Sequence, residues 1–76
     1  METAYVMINC EMGAEQYVLE KIQPIKEVKE AIGVFGNYDV LVKIQCARVE
    51  DISHTITTNI RSLDKIKCTT TLMCAN

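Results

Sequence analysis

Apolar and polar positions fall into blocks whose repeat switches between two and about 3.6 residues, the periods of strand and helix. Residues 4–10 (Ala-Tyr-Val-Met-Ile-Asn-Cys) form a short apolar run of strand formers, which predicts a first strand ended by Gly13. Over residues 14–23, Ala14, Val18, Ile22 and then Ile25 recur at helical spacing, with Glu15 in the first turn. Pro24 ends that helix, since the residue before a proline is pushed out of helical geometry. Residues 27–35 read as a second strand of imperfect alternation, where Gly33 marks a bulge or a close backbone approach. Gly36-Asn37-Tyr38 then turns the chain into a third strand, 39–45, with Val40, Val42 and Ile44 on one face. So short a turn makes the pair an antiparallel hairpin. Residues 49–63 carry Ile52, Ile56, Ile60 and Leu63 at spacings of four, four and three, the strongest helix signal in the chain. Glu50 and Asp51 suit its start and Arg61 its end. Residues 66–74 complete a fourth strand.

The order strand, helix, strand, strand, helix, strand is the split βαβ pattern. It predicts an α+β, ferredoxin-like domain spanning 1–76, an antiparallel four-stranded sheet with both helices on one face. Strand parity places Val6, Ile8 and Cys10, with Val40, Val42 and Ile44, under the helices. Tyr5, Met7 and Asn9 fall on the opposite face with Leu41 and Lys43, and Met73 with the threonines beside it is assigned there too. A free sheet face is mostly polar. This mixed face suits contact with a second copy of the chain, and a homodimer through the sheet is the expectation.

Composition sharpens that expectation. The chain has 76 residues, 49% of them hydrophobic, with nine Ile and seven Val but no Trp and one Phe, so its core is aliphatic. A chain of this mass leaves about 4,700 Å² exposed and buries roughly 62% of its extended surface, a thin margin for a lone domain. Eight Lys and Arg against ten Asp and Glu give a net charge of −2 with no basic run, so a nucleic-acid footprint is absent. No apolar stretch approaches the roughly 20 residues of a membrane span. The start, Met1-Glu2-Thr3-Ala4-Tyr5, has no basic segment of the kind that opens a signal peptide, which predicts a cytoplasmic protein with reduced thiols. Cys10, Cys46, Cys68 and Cys74 lie far apart without a CxxC pair and read as small buried hydrophobes.

Few residues offer chemistry. His54, the only histidine, points away from the isoleucine stripe, and no serine or cysteine is placed to make a nucleophilic triad with it. Cys10-Glu11-Met12-Gly13 supplies one thiolate where a soft-metal carrier needs two, so no metal or other cofactor is expected. Gly36-Asn37-Tyr38-Asp39 is the most informative polar feature. It reads equally as a turn in which Asp39 accepts from nearby amides, or as an amino-group acceptor beside turn amides open to a carboxylate. Thr69-Thr70-Thr71 offers alternate hydroxyls to a small polar ligand, although threonine is common in strands for its β-propensity alone.

The run Val28-Lys29-Glu30-Ala31, followed by Val34-Phe35-Gly36-Asn37-Tyr38-Asp39-Val40-Leu41-Val42-Lys43, resembles the signature of the effector (RAM) domain of Lrp/AsnC, or feast/famine, regulators. Ile60-Arg61 through Leu63, Ile66 and Thr69-Thr70-Thr71-Leu72 resembles the closing helix and strand of that domain, so the likeness spans residues 4 to 74. Full regulators carry a helix-turn-helix before this domain; here the first strand starts almost at Met1, which resembles a stand-alone form that does not itself bind DNA. The resemblance implies a dimeric α+β barrel, further assembled into a ring such as an octamer, that binds a small effector, usually an amino acid. It implies Gly36, Asn37, Tyr38 and Asp39 at the effector pocket, with Asp39 toward an α-amino group and the turn amides toward a carboxylate. Thr69 and Thr71 would add hydrogen bonds.

The expected function is therefore a non-enzymatic amino-acid-binding module that responds through its assembly and modulates full-length regulators of that type. Two rivals stand beside it. One is a small enzyme on the same dimeric barrel, monooxygenase- or isomerase-like, which needs a polar cavity between sheet and helices. The other is a structural assembly module without a ligand.

Overall fold

The computed structural model describes residues 1–75. Its elements are β1 (Glu2–Cys10), α1 (Glu15–Ile22), β2 (Val28–Gly33), β3 (Val40–Cys46), α2 (Val49–Thr55) and β4 (Ile66–Met73), with a π-helical turn, Ile56–Ile60, continuing α2. The strands form one antiparallel sheet in the order β2-β3-β1-β4. This is the ferredoxin-like α+β fold, with β1 and β3 central and β2 and β4 at the edges.

Period-two patterning builds the core. Ala4, Val6 and Ile8 of β1, with Val40, Val42 and Ile44 of β3, are fully buried. Val18 and Ile22 of α1, and Ile52, Ile56 and Ile60 of the second helical segment, close over them. Register explains the match: Val6 lies opposite Val42 and Ile8 opposite Val40, so one aliphatic side faces the helices across both central strands. The exposed surface, 4908 Å², slightly exceeds the scaling value of about 4,700 Å². One sheet face is open, and it accounts for part of that excess.

The helix expected over 49–63 is shorter and of two kinds. In an ideal α-helix a spacing of four overshoots a full turn by about 40°. Two such steps, Ile52 to Ile56 to Ile60, turn Ile60 about 80° from Ile52, toward the margin of the buried face. The π turn, in which the Arg61 amide donates to the Ile56 carbonyl at 2.8 Å, fits more residues into each turn and takes that drift back. All three isoleucines are buried as a result.

Three further differences concern the strands. The bulge in β2 falls between Val28 and Glu30 rather than at Gly33, whose added Cβ would meet only the Asp39 carbonyl at 4.0 Å. The β2–β3 connection is not a tight turn at Gly36-Asn37 but a loop over residues 34–39, closed by the Val34 amide donating to the Asp39 carbonyl at 2.9 Å. In β4, Thr69 lies opposite Ile8, Thr71 opposite Val6 and Met73 opposite Ala4, so these three face the helix side. Thr70 and Leu72 face outward instead. Three consecutive threonines carry no alternation from which to read that phase.

Replacing Ile44 at the centre of β3 by Ala is expected to cost about 2–5 kcal/mol, because the helices above it cannot collapse into the space. Urea denaturation at fixed protein concentration measures it. Lys67→Ala on exposed β4 is the control, expected within about 0.5 kcal/mol of the parent.

Candidate functional site

The 34–39 loop is tied to the end of β1 by three hydrogen bonds. The Asp39 amide donates to the Ile8 carbonyl at 2.9 Å, and Asp39 Oδ2 accepts from the Cys10 amide at 2.9 Å. Asn9 Nδ2 donates to the Asn37 carbonyl at 2.7 Å. The bond to Cys10 is charge-assisted, and it fixes the Asp39 carboxylate at the rim of the sheet. Of the two readings of Asp39, the local one therefore holds in part: the carboxylate accepts a backbone amide, but from β1 rather than from its own turn. Gly36 sits at φ +113°, a conformation that favours glycine and lets the loop fold back. Asn37 and Gly36 are exposed, Tyr38 and Asp39 half-buried, and Phe35 at the loop tip is fully exposed.

The threonines are placed differently. Thr69 lies across β1 from Val40, next to Asp39, two strand spacings or about 10 Å away, and on the helix side. Thr71 is one further step along β4 and lines a separate groove with Ser53, Thr57 and Arg61. The structure thus gathers Gly36, Asn37, Tyr38 and Asp39 into one loop and leaves Thr69 and Thr71 apart from it. The loop residues line neither of two clefts on the helix side, of about 330 Å³ and 310 Å³. The larger lies where the start of β2, the end of β3 and α2 meet, and it is lined by Lys26, Lys29, Glu27, His54 and the buried Cys46 and Thr55.

Sequence reading missed the row Ser53, Thr57, Arg61. The signal was present, since each follows one residue behind Ile52, Ile56 and Ile60 and so forms a polar row beside the apolar one.

The cysteines divide. Cys10 and Cys46 are buried, whereas Cys68 is exposed and Cys74 half-buried, so packing accounts for two of the four. Burial pushes the Cys10 thiol up, reinforced by the carboxylates of Asp39 and Glu15. Burial also raises Cys46, and the Thr55 hydroxyl takes back part of that. Among the described residues no group of three His, Cys, Asp or Glu side chains could hold a metal ion, and no helix is long and apolar enough to cross a membrane.

Residues 3–76 match the Lrp/AsnC ligand binding domain, and the chain belongs to that family. It is 31% identical over 55 residues to the regulatory protein AsnC of Escherichia coli K12, covering 72% of this chain but only 36% of that protein. Among solved structures it is similar to FFRP-DM1 (36% identity, TM-score 0.94, 99% of this chain and 100% of that one). It shares its fold with a transcriptional regulator of Neisseria meningitidis solved as a complex with L-Met (13% identity, TM-score 0.88, 99% of this chain and 50% of that one). AsnC is a regulatory protein, and this chain matches about a third of its length.

Raised thiol values mean less thiolate at neutral pH. Iodoacetamide is expected to leave Cys10 and Cys46 unmodified longest in the folded chain, read by peptide mass mapping. Because folding holds these protons more tightly, stability is expected to fall as pH rises through and above the ordinary thiol range near 8.5. Stability unchanged there would show that neither thiol is desolvated.

Proposed function

We propose that this chain is a non-enzymatic regulatory domain that binds a small amino acid at the 34–39 loop and reports it through assembly. The observation that carries the reading is the Asp39 carboxylate, held at the sheet rim by the Cys10 amide beside an exposed, glycine-opened backbone. A fixed carboxylate meets an α-amino group without further ordering cost, and exposed loop amides suit a carboxylate. Family membership and the L-Met complex of a regulator with this fold support the same ligand class.

The outer sheet face supports self-association. Tyr5, Met7 and Leu41 are half-buried there, while Ile32 and Leu72 are 46% and 55% exposed, among Lys43, Glu30 and Thr70. Two such faces packed together would close the dimeric barrel. The fully exposed Phe35 and Met12, on neighbouring loops, would then extend dimers toward a ring such as an octamer and toward full-length regulators of the same family. A ligand that prefers one assembly shifts the population of all of them. Against the enzyme reading stands the space between sheet and helices, which is filled by Val6, Ile8, Val40, Val42 and Ile44.

Thermal-shift screening of the proteinogenic amino acids tests this. A hit at a hundred times its Kd stabilises by about 2.7 kcal/mol, a rise of roughly 10 °C or more. Asp39→Asn keeps an acceptor for the Cys10 amide but loses the charge, and is expected to abolish the shift. A full response in that variant rejects the site, and an unresponsive panel at millimolar ligand rejects the sensor.

Leu41→Glu buries a charge if the sheets pair and is expected to reduce the particle to an 8.6 kDa monomer by sedimentation. A parent chain that already sediments as monomer at micromolar concentration overturns the dimer.

A further inference from the structure

The helix side of edge strand β4 is left uncovered, because the second helical segment lies over β1 and β3. Between that segment and β4 runs a groove of about 310 Å³, at the lower limit of small-molecule sites. Ile52 and Ile56 form its apolar wall, and Val49 and Met73, 47% and 43% exposed, stand at its rim. Ser53, Thr57 and Thr71 bring hydroxyls from both sides, and Arg61 is its one charged residue. The π turn sets Arg61 in place, since its amide closes on Ile56 within the same wall. The ion pair among the described residues, Arg48 with Asp51, does not engage this guanidinium. Among the described residues no carboxylate lines the groove.

We propose that this groove is a second binding site, separate from the Asp39 loop, for small carboxylates that carry a short branched apolar chain and no amino group. The guanidinium pairs with the carboxylate, the hydroxyls donate to its oxygens or to a neighbouring keto group, and the exposed Val49 and Met73 receive the chain. An ammonium in the same place would meet a like charge and no acid, so the amino acid of the same skeleton is excluded. The outer sheet face lies on the far side of the sheet, so dimerisation there leaves the groove open. Asp39 takes no part in it, and the site stands or falls independently of the loop.

The test is a titration of the full chain with α-ketoisocaproate and with leucine, followed by amide NMR. α-Ketoisocaproate is expected to shift Ser53, Thr57, Arg61 and Thr71, with leucine at least about tenfold weaker there. Arg61→Gln is expected to weaken the keto acid about tenfold or more, and Asp39→Asn to leave it unchanged. Should Arg61→Gln lose its fold by circular dichroism, Thr57→Val decides, with a loss of about threefold or more expected. Absent shifts at millimolar keto acid, equal shifts with leucine, or undiminished binding in the folded variant would each overturn the site.

Discussion

Everything in this molecule hangs on the central strand β1, which is hydrogen-bonded along both edges and buries every second side chain. Ala4, Val6, Ile8 and Cys10 face the helices, and the register to β3 and β4 is set by that alternation. A slip of one residue would turn four apolar side chains outward and three mixed ones inward, which a core this small could not absorb. The strand also ends where chemistry begins. Its last amide holds Asp39, its last side-chain amide holds the loop at Asn37, and the bulge opposite Cys10 lets β4 depart.

From that strand the two faces of the sheet acquire different tasks. The inner face is aliphatic throughout its centre, and its burial supplies the stability of the fold. The outer face mixes Tyr5, Met7, Leu41, Ile32 and Leu72 with charges and hydroxyls, more apolar than a free sheet face usually is. One face is thus committed to folding, while the other leaves apolar side chains in contact with water. The loop carrying Asp39 stands at the rim between the two, tied to the end of β1.

The second helical segment shows how a packing conflict shapes a surface. Isoleucines spaced by four drift about 40° per step round an α-helix, and the π turn takes part of that drift back. Beside them Ser53, Thr57 and Arg61 form a polar row that faces Thr71 and Met73 of β4. Because the helix covers the central strands and not the edge, a groove remains beside Thr71 and Met73.

Element order, the inner face of β1 and β3 and the isoleucine stripe were all legible in the sequence. Each is a local or periodic property, imposed on the chain by burial of one side of an element. The phase of β4, the place of the bulge, the π turn and the separation of Thr71 from Asp39 were not. They depend on which residues lie opposite one another across strands, and on how far a helix reaches over a sheet edge. Thr69-Thr70-Thr71 reads the same in either phase, and only pairing with Ile8 and Val6 turned Thr69 and Thr71 toward the helices. The amino-acid pattern determined what must be buried; the tertiary structure decided which polar groups the burial left side by side, because that depends on contacts between residues far apart in the chain.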